Sequence, residues 1–237
     1  MLAAEVHDFE LQRMGSTSRY ERAIREEGVT DKDGKYRGLG LPVDDPVVHN
    51  LMEARDAITA VEEGLIKALV KVMRQHPLGP WQKAQRGIGE KQLARLLNVI
   101  GDPYWNAAKN QPRRVSDLWS YCGLRQNADG VAVKRQRGEV ANWSTEAKTR
   151  AYLIATSCLK QPPTAHYRAV YDEARAKYAD AVHKTPCVRC GPSGKPAQPG
   201  SPLSPGHQHM RGMRAIMREL LRDLWIEARR LHMIEGQ

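Results

Sequence analysis

The fold is predicted from residues 86–102, whose sequence is RGIGEKQLARLLNVIGD. Gly87 and Gly89 allow the backbone to turn sharply, because glycine has no Cβ atom. Apolar residues then recur at helical spacing, which predicts a helix with one buried face; they are Leu93, Leu96, Leu97 and Ile100. The sequence Gly101-Asp102-Pro103 ends this helix. A glycine turn that leads into an amphipathic helix is therefore the central prediction.

The start of this helix is a candidate nucleic-acid-binding site. Backbone N–H groups at a helix N-terminus, with the helix dipole behind them, can bind a phosphate group. The predicted contact residues of the turn are Arg86, Gly87, Ile88, Gly89, Glu90 and Lys91. With a short helix before the turn, over residues 80–85, the arrangement is typical of helix-hairpin-helix modules, which bind the nucleic-acid backbone. An ordinary glycine turn between two helices is the alternative interpretation.

The composition favours a polyanionic partner. Among 237 residues, Lys and Arg number 37 and Asp and Glu number 27, which gives a formal net charge of +10 at pH 7. Such an excess favours nucleic-acid binding through counterion release. No apolar run approaches the roughly 18 residues of a membrane span, and residues 1–10 lack the basic start of a signal peptide. We therefore expect a cytoplasmic protein without a membrane partner, in the host cell cytoplasm if a phage encodes it.

A long helix is predicted over residues 46–75. Asp44, Asp45 and Pro46 are typical of a helix start, and His76-Pro77 ends the pattern. Apolar residues between them alternate at spacings of four and three, the heptad pattern of coiled coils; this heptad seam consists of Val47, Leu51, Ala54, Ile58, Val61, Leu65, Ala68 and Val72. The seam predicts pairing with another helix of the chain or with a second subunit, as a homodimer through the 46–75 helix.

The rest of the chain is predicted to be mainly α-helical. Residues 1–44 form an N-terminal extension with a short helix over 18–27. Helical patterns also cover residues 115–124, 145–159, 165–181 and 210–233. We divide the chain into the extension, a DNA-binding domain with the coiled-coil helix over 45–160, and a helical region with a metal loop over 161–237.

Two further basic segments leave their roles open. Lys134, Arg135 and Arg137 lie between glycines, either at a hairpin tip that contacts phosphate or in a solvated loop. The last predicted helix has an arginine-rich polar face, which is either a nucleic-acid-binding face or a solvated flank; it comprises Arg211, Arg214, Arg218, Arg222, Arg229 and Arg230.

A Cys/His pattern predicts a zinc site. Cys187 and Cys190 have zinc-knuckle spacing, and His207 and His209 follow a loop rich in glycine and proline. A metal ion would hold this loop in one conformation. The predicted ligands are these four residues, with His183 as a possible replacement for one of the two later histidines. Four protein ligands leave no position for water, so we expect structural zinc. The alternative is a mobile loop with a free or redox-active thiol pair.

Two segments resemble the C-terminal helical domain of certain insertion-sequence transposases, which combine a RuvC-like nuclease domain, a coiled coil and a helical domain with a catalytic serine. The first runs from Gly87 to Pro103, and the second is VSDLWSYCGL, residues 115–124. The predicted 46–75 helix falls where that family has its coiled coil. The resemblance covers roughly residues 46–160 and implies a helix-hairpin-helix-like DNA-binding domain.

The resemblance also implies that strand chemistry is absent, and no catalytic residue is predicted. Residues 1–44 are too few for a RuvC-like domain, and residues 125–130, where the family has its catalytic serine, contain none. We therefore expect a non-catalytic DNA-binding accessory protein of phage or mobile-element recombination, which binds a recombinase or integrase and controls its directionality. The alternatives are a transposase-like nuclease or strand-transfer enzyme, with Ser144 or Ser120 as nucleophile, and a pure protein-interaction module.

Overall fold

The computed structural model describes residues 2–126, 132, 138, 140–188, 190–192 and 195–235. Within this part of the chain the fold is mainly α-helical, as predicted, with eight helices and one two-stranded sheet. The helices are α1 (Leu2–Ile24), α2 (Pro46–Gln75), α3 (Gly79–Ala84), α4 (Glu90–Ile100), α5 (Val115–Tyr121), α6 (Thr145–Leu159), α7 (His166–Lys177) and α8 (Pro205–Glu235). Strands β1 (Trp105–Asn106) and β2 (Gln111–Pro112) pair antiparallel.

The chain forms two compact units, Met1–Met73 and Arg74–Gln237. The first unit therefore contains α1 and nearly all of α2, whereas the sequence grouped the long helix with residues 45–160. None of the described helices is both long enough and apolar enough to cross a lipid bilayer.

In the first unit, α1 and α2 lie side by side in antiparallel orientation. Arg13 of α1 forms an ion pair with Glu62 of α2, and the Arg55 guanidinium of α2 lies 4.6 Å from the ring centroid of Tyr20 in α1. The later residue of α1 thus meets the earlier residue of α2, which fixes the antiparallel direction. Helix α1 is far longer than the predicted 18–27 helix. Its first half was not predicted because its apolar residues form no regular helical stripe.

The most buried side of α2 differs from the heptad seam, of which only Leu51, Ile58 and Leu65 are half-buried. The buried stripe runs one residue further round the helix, at the same alternating spacing, and every member is at least half-buried; it consists of Val48, Met52, Arg55, Thr59, Glu62, Ile66, Leu69 and Met73. By contrast, Val47, Val61 and Val72 of the seam are 54%, 45% and 54% exposed. Pairing within the chain therefore leaves much of the heptad seam uncovered.

The uncovered seam gives a testable expectation about oligomeric state. If a second copy covers it, the purified protein is a dimer, and Val61→Glu makes it monomeric, because a charge at a packed heptad position is not tolerated. Light scattering after size-exclusion chromatography measures the mass directly. The matched control is Ala60→Glu, which places the same charge at an exposed position outside the seam. Equal masses for wild type, Val61→Glu and Ala60→Glu would exclude the homodimer through this face.

In the second unit, α8 is the central helix and packs against α5, α6 and α7. Its buried apolar residues are Met213, Ile216, Met217, Leu220, Leu221, Leu224 and Ala228. Two tryptophans attach α8 to the preceding part of the unit: Trp119 Nε1 donates to the Arg218 carbonyl at 3.0 Å, and Trp225 Nε1 donates to the Arg113 carbonyl at 2.8 Å.

The glycine turn connects α3 to α4, and its two glycines are in different situations. Gly87 has φ +89°, and a Cβ atom there would lie 2.8 Å from the Cα of Cys158 in α6. Gly89 is the N-cap of α4 with φ −80°, and an added Cβ would meet no atom within 4 Å. Between them, the buried Ile88 accepts a hydrogen bond at its carbonyl from the Gln82 amide. The turn thus packs on α6 through Gly87 and presents Gly89 outward.

Candidate metal centre

Three residues of the candidate metal centre, His183, Cys187 and Cys190, lie in an irregular hairpin that precedes α8, and the fourth, His207, lies in the first turn of α8. Backbone hydrogen bonds join its two arms: the N–H of His183 donates to Ser201, and Cys187 and Ala197 exchange a pair of bonds at 2.9 Å each. The described residues of the hairpin form isolated bridges and no regular strand, because proline lacks the N–H group that strand pairing needs, and these few bonds set the path of the chain. The hairpin ends at Ser204-Pro205, a serine N-cap followed by proline, where α8 begins.

This path brings together His183, Cys187, Cys190 and His207. Each offers one ligand atom, and all four atoms lie within 4.8 Å of one another. Cys190 Sγ is 3.4 Å from His207 Nδ1, and the two imidazole rings are 5.3 Å apart between centroids. A tetrahedral zinc ion with bonds of about 2.0 to 2.3 Å needs ligand atoms that are a few ångströms apart. The donor set and its spacing therefore fit one metal ion.

Two polar features of the cluster support this fit. His183 is buried, and its Nε2 atom has no hydrogen-bond partner among the described residues. A buried polar atom without a partner is costly, and a metal ion would satisfy it. On the other side, the Ser204 hydroxyl is 3.1 Å from Cys190 Sγ and accepts the His207 N–H. The Ser204 hydrogen bond lowers the pKa of the Cys190 thiol, which favours the metal-binding thiolate.

The histidine set differs at one position from the predicted ligands Cys187, Cys190, His207 and His209. His209 lies outside the cluster, and its Nδ1 atom is 2.7 Å from the Tyr171 hydroxyl in α7. His183, which the sequence left as a replacement, is the second histidine of the cluster. The reason is helical geometry: His207 and His209 are two positions apart in α8, so their side chains project in different directions. The sequence analysis did not predict the role of Ser204 beside the cluster, although a serine followed by proline is typical of a helix start.

A second group of possible ligands, His166, Glu219 and Asp223, is less suited to a metal ion. Arg222 forms ion pairs with both carboxylates, and the Tyr167 hydroxyl donates to Asp223 at 3.2 Å. Both carboxylates are therefore already paired with groups of the protein.

The predicted phosphate-binding residues of the glycine turn are only partly buried. Arg86 and Gly89 are exposed, Gly87 and Lys91 are half-buried, and Ile88 is buried in the core. Glu90 forms a 3.0 Å ion pair with Arg74, whose hydrogen bond lowers the pKa of the Glu90 carboxyl. The predicted second basic segment, with Lys134, Arg135 and Arg137, lies outside the described residues.

The buried thiols and Ser144, one of the two candidate nucleophiles, have structural roles. Burial raises the pKa values of the Cys122 and Cys158 thiols to about 12, so both behave as small apolar side chains. The Ser144 hydroxyl accepts the Ala147 N–H and caps α6. Ser120 lies in a surface cleft beside Arg125.

Comparison with protein-family models, curated proteins and solved structures finds no match for this chain. The case for a function therefore depends on the chemistry of the chain itself.

Proposed function

We propose that this chain is a non-catalytic DNA-binding protein in which a structural zinc ion stabilises the C-terminal unit. The zinc part is supported by the His183, Cys187, Cys190 and His207 cluster, because two thiolates and two imidazoles are typical zinc ligands. Four protein ligands fill a tetrahedral zinc ion and leave no position for a reacting water. The zinc ion would thus hold the hairpin before α8 in place.

The DNA part is supported by Gly89. No neighbouring atom lies within 4 Å of the Cβ position there, φ is −80°, and no side chain caps the start of α4. Packing within the chain therefore does not require glycine at this exposed position. A bare backbone at a helix N-terminus lets a phosphate approach the N–H groups. The exposed Lys83 and Arg86 and the formal charge of +10 add attraction for a polyanion.

The biological role that we propose is an accessory role in recombination of a phage or mobile element. It is supported by the resemblance of residues 46–160 to the DNA-binding part of insertion-sequence transposases. In this role the chain binds DNA at the α3–α4 turn and a recombinase or integrase through another surface, and thereby controls the directionality of the recombinase.

The DNA proposal is tested by comparing Gly89→Asp with Gly89→Ser. Aspartate and serine are similarly good N-caps, so both variants should keep the stability of wild type. The aspartate carboxylate would repel a phosphate at the helix N-terminus, and we expect about 3- to 10-fold weaker DNA binding for Gly89→Asp than for Gly89→Ser. Fluorescence anisotropy with a labelled DNA duplex, repeated over a salt series, measures both affinity and charge dependence.

Two outcomes would contradict the DNA proposal. One is equal DNA affinity of the two variants, which would remove the turn as the phosphate site. The other is a wild-type protein that binds no DNA at low salt, which would leave a protein-interaction module as the better interpretation.

A further inference from the structure

A row of arginines on α8 lines a surface groove in the second unit. Successive arginines of this row, from Arg211 to Arg222, are three, four and four positions apart. Their side chains therefore project from one face of the helix over about 16 Å. The groove has a volume of about 300 Å³ and is lined by Arg211, Arg214, Arg218 and Arg222 together with Trp119 and Tyr178. We call it the 211–222 groove. An adjoining cleft of about 570 Å³ shares Trp119 and Arg218 and adds Arg114 and Arg125.

Three of the four arginines of the 211–222 groove, Arg211, Arg214 and Arg218, are held in place by uncharged groups. The Arg218 guanidinium lies 4.0 Å from the ring centroid of Trp119 and also donates to the Gln126 side-chain oxygen. Arg211 lies 4.8 Å from the ring centroid of Tyr178. Arg214 donates to the Arg125 carbonyl at 2.8 Å. Aromatic rings and carbonyls orient the guanidinium groups and leave their charges uncompensated.

The groove has too few carboxylates for its positive charges. Arg222 pairs with Glu219, and in the adjoining cleft Arg114 lies 3.8 Å from Asp117. For Arg211, Arg214 and Arg218, the described residues provide no carboxylate within ion-pair distance. The Arg214 Nε atom is buried and has no hydrogen-bond partner among the residues that the structure describes. Adjacent, partly desolvated positive charges are costly, and an anion would compensate them.

We propose that the 211–222 groove binds successive phosphate groups of a nucleic-acid strand. Guanidinium forks bind phosphate oxygens in a bidentate manner, and those held by aromatic rings lose little conformational entropy on binding. A groove of about 16 Å is too long for one phosphate and suits a chain of them. This inference deepens the proposed DNA binding and assigns it a surface separate from the α3–α4 turn.

The same helix provides a matched pair of variants. Arg218→Gln removes a charge from the groove, and Arg229→Gln removes a charge from an arginine that lies 5.6 Å from the Trp225 ring, outside the groove. With the full-length protein and a labelled DNA duplex, we expect about tenfold weaker binding for Arg218→Gln. The slope of log affinity against log salt should fall by about one. Arg229→Gln should stay within about twofold of wild type.

Arg211→Gln is a second test of the groove in case Arg218→Gln is unstable. If thermal melting shows that Arg218→Gln is destabilised, Arg211→Gln replaces it in the test. Arg211 contacts the face of the Tyr178 ring, so its replacement should disturb the fold less. The expected loss of affinity for Arg211→Gln is the same, about tenfold.

Three results would overturn the inference. If Arg218→Gln and Arg211→Gln bind DNA like Arg229→Gln while Gly89→Asp weakens binding, the groove is excluded and the proposed function stands. If the wild type binds no DNA, both proposals fail. If sodium phosphate or polyglutamate at matched ionic strength binds the wild type as tightly as DNA does, the groove is a general anion site and the nucleic-acid assignment is wrong.

Discussion

Zinc chelation should destabilise the C-terminal unit by about 4 kcal/mol relative to protein in free zinc at a thousandfold excess over its dissociation constant. For a unit of this size, such a loss lowers the melting temperature by roughly 10 °C. Few backbone hydrogen bonds join the described residues of the hairpin before α8, so a bound zinc ion would add strongly to the stability of this hairpin. The apolar core between α6, α7 and α8 contains none of the four candidate ligands and should keep the rest of the unit folded without metal.

Substitutions separate the metal effect from ordinary loss of packing. Cys187→Ser should reproduce the effect of the chelator and make the protein insensitive to it. Cys122→Ser should cost about 1 to 3 kcal/mol, because a hydroxyl replaces a fully buried thiol. That cost should be the same with and without chelator. Differential scanning calorimetry with zinc and with chelator measures each effect.

The identity of the fourth ligand is tested by a second pair of variants. His183→Gln should lose the zinc ion, whereas His209→Gln should retain it, because His209 contacts Tyr171 outside the cluster. Elemental analysis after dialysis gives the zinc content of each variant. Purified wild-type protein without zinc, or a zinc content that depends on His209 and not on His183, would contradict the assigned centre.

Gly87→Ala should be one of the most destabilising single substitutions in the second unit. The positive φ of +89° costs an alanine about 1 to 2 kcal/mol. Its Cβ atom would also lie 2.8 Å from the Cα of Cys158, and overpacking of this kind costs about 1 to 3 kcal/mol. Because Cys158 Cα is a backbone atom of α6, the turn or the helix must move. We expect a total of about 2 to 5 kcal/mol from urea unfolding.

Gly89→Ala is the matched control within the same turn. Its φ is −80°, and the added Cβ meets open space. Alanine is a poorer N-cap than glycine, which lowers stability slightly, and it makes the unfolded chain less flexible, which raises stability slightly. The two effects should nearly cancel, so the free energy of unfolding should change by less than about 0.5 kcal/mol. Equal destabilisation by Gly87→Ala and Gly89→Ala would mean that the turn does not pack on α6 as described. The first glycine is thus required by packing, whereas packing within the chain does not require the second.

The sequence predicts α2 well because its apolar periodicity extends over many turns. The bounds predicted for the 46–75 helix agree with α2, whereas α8 begins at Pro205, five residues before the predicted 210–233 helix. The buried stripe of α2 could not be predicted in the same way. It includes Arg55, Thr59 and Glu62, whose polar character hides burial from any count of apolar residues.

The metal ligands show a similar limit. The spacing of Cys187 and Cys190 indicated a metal pair, and the structure places them together. The choice between His183 and His209 depends on the path of the hairpin, which backbone hydrogen bonds between distant residues determine. The 211–222 groove was visible only as an arginine-rich helix face, because Trp119 reaches it from a different part of the chain.

The position of α8 in the chain has a consequence for synthesis. The helix that packs against α5, α6 and α7 is made after all three of them. Until residues 205–224 have left the ribosome, the apolar faces of the earlier helices have no partner and remain open to aggregation or to chaperones. His207 is made late as well, so a metal ion could be bound by all four candidate ligands only after the start of α8 has been made. The second unit therefore completes its core and its candidate metal-binding cluster in the same late step.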